Sequence, residues 1–193
     1  MAIHSIRQRG ASMIEVLVTI VIIAFGLLGM AGLQSRLQVS EMEAYQRAQA
    51  LVLLNDMASR ISTNRKAAAS YAGTVAAKVK PDANCAADFS GADALTKDVR
   101  EWCNALQGAA ETVGTTRLGA VIGGRGCVQN LGNNEYMVTI AWQGAVPLSA
   151  PPASVTCGKD LYDLGGTTGC VSDRCRRVVT TVVRIAPLMP PLI

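Results

Sequence analysis

Residues Ala11 to Leu33 form a run of 23 that are apolar or small except for one carboxylate, Glu15. A stretch of that length can cross the hydrocarbon core of a bilayer as a helix. A carboxylate deep in such a helix costs about 2.5 to 3.5 kcal/mol, and less near the end where Glu15 stands, so the charge needs a partner and marks a candidate functional residue. The ten residues ahead of the run carry His4, Arg7 and Arg9 and no acid. That bias predicts an N-terminus held in the cytoplasm and a chain sent outward after it. In a secretory signal the cleavage point follows the apolar core. Here the one plausible junction, Gly10/Ala11, precedes it, so cleavage would leave the core on the mature protein.

Past the apolar run the first proline is Pro81, so nothing from Ser12 to about Arg65 forbids one continuous helix. A helix of roughly 52 residues would be about 78 Å long. Its second half carries Ala44, Ala48, Leu51, Leu54, Ala58 and Ile61 at helical spacing, with Glu41, Glu43, Arg47, Asp56, Arg60 and Arg65 mostly elsewhere, which predicts that this stripe packs against a globular domain. Between the halves stand Gly26, Gly29 and Gly32, each lowering helix stability by about 1 kcal/mol relative to alanine. They form a local weak point that also permits close helix approach.

Residues 66 to 93 read as a connecting loop with weak helix. A short helix is predicted from Ala94 to Gln107, with Leu95, Val99, Trp102 and Leu106 on one face and Gly108 as its stop. The Gly-rich patch 119 to 126 lacks the Gly-Lys-Ser/Thr ending of a phosphate loop and reads as a turn. Gly126 to Leu131 and Glu135 to Trp142 flank Gly132-Asn133-Asn134 as a hairpin, with Tyr136, Val138, Ile140 and Trp142 alternating against Met137, Thr139 and Ala141. A long loop, 143 to 175, leads to a β-branched strand from Arg177 to Ile185. The expected fold class is α+β: a long N-terminal helix packed on a small antiparallel sheet of three or four strands.

Composition narrows function. Only 17% of residues are charged and the formal net charge is +4, which falls to +2 without the leader's two arginines. That is too weak to make nucleic acid or anionic lipid the main partner. Six cysteines, all after residue 84, suit a disulfide-bonded domain in an oxidising compartment. They contain no C-x-x-C, and the single histidine is His4, so neither a zinc site nor a redox centre is expected. Of 15 possible connectivities, proximity and element order favour Cys85 with Cys103, Cys127 with Cys157, and Cys170 with Cys175. After cleavage the chain would hold no histidine, and it has no Gly-x-Ser-x-Gly and no phosphate loop, so it is expected to be no enzyme and to need no cofactor or metal.

Gly10 followed by Ala-Ser-Met-Ile-Glu-Val-Leu-Val resembles the class III signal of type IV pilins and type II secretion pseudopilins. In those families a prepilin peptidase cuts after the glycine and methylates the new N-terminus. The resemblance implies processing at Gly10/Ala11, N-methylation of Ala11, and a role for Glu15, fifth residue of the mature chain, as the assembly carboxylate. Ala11 stands where major pilins usually carry Phe, which points to a minor subunit. Asp98-Val99-Arg100-Glu101-Trp102, the run Val138 to Gly144, and Cys157-Gly158 before a valine-rich last strand resemble PilV-type minor pilins.

The type IV pilin fold thus expected has four parts: leader 1–10, transmembrane or filament-core helix 11–34, its amphipathic continuation 35–65, and a globular head 66–193. The implied location is the inner membrane with the head in the periplasm, then the cell-surface pilus. The implied partners are other minor pilins, the major pilin, the inner-membrane assembly platform and the prepilin peptidase. Three functions fit: a minor pilin that primes pilus assembly near the fibre tip, a type II secretion pseudopilin, or a tip module binding a surface ligand or DNA. The last would use Arg174, Arg176 and Arg177 beside Cys175 as a ligand patch.

Overall fold

The computed structural model describes residues 12–75, 78–108, 112–113, 116–117, 121–163 and 169–186. Two compact units are present, Met1–Met42 and Glu43–Ile193, with the division inside the first helix.

Helix α1 runs from Met13 to Thr63. It is continuous through Gly26, Gly29 and Gly32, and open space lies beside each, so no close neighbour in the monomer explains them. Its first unit is exposed on all sides, with Leu17, Ile20, Ile22, Phe25 and Leu28 turned outward. Its window of highest mean hydropathy reaches 2.7, enough in length and composition to cross a membrane. In the second unit the buried stripe is Gln46, Ala50, Leu53, Leu54, Met57 and Ile61. This corrects the stripe read from the sequence: Ala44, Ala48 and Leu51 are exposed, and only its C-terminal end, Leu54, Ala58 and Ile61, faces the core. Leu51 to Leu54 is apolar around the whole helix, so spacing alone could not say which side would be covered.

A 3-10 turn, Arg65–Ala67, leads into helix α2, Ala68–Val75, a well-formed helix within the stretch read as a connecting loop with weak helix. Ala68, Tyr71 and Val75 all face inward, an i, i+3, i+7 pattern hidden in an Ala/Ser/Gly-rich stretch. Helix α3, Cys85–Asp88, is a single turn capped by the Asn84 side chain, which accepts from Ala87 N. Helix α4, Ala94–Leu106, is capped by Asp93 accepting from Thr96 N and buries Val99, Trp102, Cys103 and Leu106.

Strands β1, Thr112–Val113, and β2, Thr116–Arg117, form a two-residue ribbon. The main sheet is antiparallel, in the order β3 (Arg125–Gly132), β4 (Glu135–Gln143), β5 (Arg176–Arg184). The β3–β4 turn places Asn133 and Asn134 at φ 51° and 59°, the paired positive values of a type I′ turn that asparagine tolerates. A register shift between Asn130 and Gly132 leaves Leu131 exposed. On one sheet face Val128, Tyr136, Val138, Ile140, Trp142 and Val183 join α1, α2 and α4 in the main core. On the other, Ala141 packs with Cys157 and Tyr162 from the long loop.

Candidate functional site

Glu15 stands in the first turn of α1, where its backbone N–H donates to the Ser12 carbonyl at 3.0 Å and to Ser12 Oγ at 3.3 Å. Ser12 therefore caps the helix, and Ser-x-x-Glu is a capping signature that the sequence reading passed over. The first turn is also where helix amides favour a carboxylate, which eases its presence beside an apolar run. Met13, Ile14 and Leu17 around it are exposed. Among the described residues no side chain is bonded to the Glu15 carboxylate. Gly10 and Ala11, the expected processing and methylation positions, lie outside the described residues, as do leader residues His4, Arg7 and Arg9.

The second unit holds α1 at three places. Near its start, Arg177 of β5 pairs with Glu43, its Nε 3.3 Å from Oε2, while Oε1 accepts from Ala145 N at 2.7 Å. Further on, Trp102 donates Nε1–H to the Leu53 carbonyl at 2.8 Å from a fully buried position. At the third, Arg60 reaches Asp56 at 3.0 Å, Asp98 at 2.9 Å and Glu101 at 2.8 Å. Burial alone would lower the Arg60 guanidinium, but its bonds to Glu101, Asp56 and Asp98 outweigh that and hold it above its ordinary value. Tyr71 donates to the same Asp98; burial first, and that bond second, push its hydroxyl up to about 12. Asp98, Glu101 and Trp102 belong to the motif quoted above, and in this structure they serve α1 rather than a ligand.

Three disulfides staple the head: Cys85–Cys103 joins α3 to α4, Cys127–Cys157 ties β3 to the long loop, and Cys170–Cys175 closes a six-residue turn. Their Cα separations are 5.7, 5.9 and 5.1 Å, within the ordinary range for a cystine.

The arginine patch does not form, which corrects the ligand-binding expectation for it. Arg176 is buried, paired with Asp173 at 3.1 Å, and its Nη1 donates to the carbonyls of Val155 at 2.7 Å and Cys157 at 3.0 Å. Arg177 is committed to Glu43 and to the Val146 carbonyl at 2.6 Å. Only Arg174 is exposed. The guanidiniums satisfy loop carbonyls that lack strand partners, a use that three clustered arginines do not announce in a sequence.

A helix with an apolar, outward-facing first half behind a capped carboxylate, long and apolar enough to cross a membrane, thus continues into a disulfide-stapled α+β head. Residues 6–31 match the prokaryotic N-terminal methylation motif, and residues 32–113 match the Tt1218-like family, described as type IV pilin Tt1218. In these adjoining matches and in this fold the chain is similar to type IV pilins that carry a prepilin methylation signal. No curated protein and no solved structure matches it. Together the two matches cover the signal, the helix and the beginning of the head.

Proposed function

We propose that the protein is a minor pilin of PilV type that joins other minor pilins to prime pilus assembly and sits at or near the fibre tip, with residues 11–34 in the inner membrane and the head in the periplasm until extraction. The observation that carries this reading is Glu15: a carboxylate at the fifth position after Gly10, in the capped first turn of an apolar helix, with no described partner in its own chain. After cleavage the α-amine of Ala11, with an ordinary pKa of about 8, is largely charged at neutral pH and matches that carboxylate in a neighbouring subunit. The pairing would fix axial register and favour leaving lipid. Glu43, Arg60 and Trp102 then couple the helix to the head. Gly26, Gly29 and Gly32 give the helix a place to unwind once polar surroundings replace lipid.

The test is Glu15→Ala in the native host. The variant is expected to insert, be cleaved and fold its head, yet be missing from sheared fibres and from complexes with other minor pilins. Wild-type incorporation would overturn the proposal. Deletion is expected to remove surface pili; intact pili with loss of exoprotein secretion would assign the subunit to a secretion pseudopilus instead.

A further inference from the structure

The sheet face turned away from the main core is only partly covered. Register pairs Cys127 with Thr139 and Gln129 with Met137, and strand alternation puts Arg125 on the same side. Next to the small cluster of Ala141, Cys157 and Tyr162 lies a cavity of about 380 Å³, bounded by these sheet residues, Val79, the segment from Thr156 to Lys159, and Leu161. That volume falls at the small end of the range for ligand sites, about 300 to 1,000 Å³.

The walls have two chemistries. Val79, Met137, Leu161 and the Cys127–Cys157 disulfide supply apolar surface. Among the described residues the charged ones lining the cavity are Arg125 and Lys159, with no carboxylate. Arg125 Nε is buried and has no hydrogen-bond partner. The Tyr162 hydroxyl, which lies near this guanidinium, donates to the Gly123 carbonyl at 2.8 Å. One nearby acid, Asp82, is exposed and already paired with Lys80 at 3.3 Å. Lys159 is exposed. A partly buried guanidinium from β3, an exposed ammonium from the long loop and apolar lining between them make an environment suited to an anion.

We propose that this cavity binds a small amphipathic anion, with its acid group against Arg125 and Lys159 and its apolar body over Met137, Leu161 and the disulfide. The proposal stands independently of the assembly role, since it uses only the head.

The test uses the full chain in nanodiscs of zwitterionic lipid, with 13C-methyl methionine labelling and the Met137 signal assigned through Met137→Leu. The probes are 3-phenylpropionate and its uncharged counterpart 3-phenylpropanol. The acid is expected to shift the Met137 signal saturably, with the alcohol at least about tenfold weaker, the difference made by a charge-assisted hydrogen bond. Arg125→Gln should weaken the acid by a similar factor. Lys159→Gln, on an exposed position that cannot disturb the fold, should weaken it by about two- to fivefold. Equal response to acid and alcohol, insensitivity to Lys159→Gln, or no saturable shift up to about 10 mM would each overturn the proposal.

Discussion

Gly126 is the point where β3 runs flush against Trp102, and its replacement by alanine tests the packing account directly. A Cβ at this position would lie 2.3 Å from Trp102 Cη2, 2.4 Å from Cζ3 and 2.8 Å from Leu106 Cδ1. Carbon atoms in contact sit about 3.5 to 4.0 Å apart, so something must move by more than an ångström. Trp102 has little freedom to do so: it is fully buried, bonded to the Leu53 carbonyl, and followed in α4 by Cys103, which is tethered to Cys85. Overpacking of this kind costs about 1 to 3 kcal/mol, and weakening the indole hydrogen bond adds about 1. Gly126→Ala should therefore lose about 2 to 4 kcal/mol, and at about 2 to 4 °C per kcal/mol for a domain this size the melting temperature should fall by about 5 to 15 °C. Thermal unfolding of the full chain in one detergent, followed by near-ultraviolet circular dichroism with disulfides intact, measures it. The matched control is Gly73→Ala in α2, where a Cβ meets nothing within 4 Å; there the same change should stabilise by about 0.5 to 1 kcal/mol. A Gly126→Ala protein melting within about 1 °C of wild type would refute the reasoning.

Three further outcomes follow from the same contacts. Replacing Cys127 and Cys157 together by serine opens a 30-residue separation and should cost about 3 to 4 kcal/mol, read as a lower denaturant midpoint. Because burial and Asp98 raise the Tyr71 hydroxyl to about 12, the unfolded chain ionises first as pH climbs. Stability from this group is complete below about pH 10 and declines between about 10 and 12; Tyr71→Phe should make that alkaline decline shallower, with Tyr162, also raised by burial, accounting for part of what remains. Glu43→Ala removes the acceptor for both Arg177 and Ala145 N and should destabilise the head by about 1 to 3 kcal/mol; an unchanged melting curve would show the contact to be idle.

Much of this architecture could be read from residue order. Pro81 as the first proline allowed α1, which ends at Thr63, and the alternation of Tyr136 to Trp142 with a two-asparagine turn marked the hairpin. The sheet has three strands, with a separate two-residue ribbon. What stayed hidden depended on contacts made across the chain. Helix α2 gains its place because Tyr71 reaches Asp98, 27 residues on, and nothing local in Ala-Ala-Ser-Tyr-Ala-Gly declares it. Arg176 is interior because Asp173 and two loop carbonyls receive it, whereas its neighbours in sequence read as a solvated cluster. The exposed apolar surface at Val52 and Leu51 likewise follows from which side Trp102 covers, not from the helix's own periodicity.

The three holds on α1 carry a mechanical meaning. Glu43, Leu53 and Arg60 are gripped by a strand, an indole and an acidic pair in turn, so tension entering the helix at its Glu43 end is shed in stages along the stem. Each stage hands its share to a separate part of the head: β5 takes the first, while α4, fastened through Cys103, takes the other two. A pull on this part of the helix is thus shared among three contacts side by side, and no single strand of the sheet has to bear all of it.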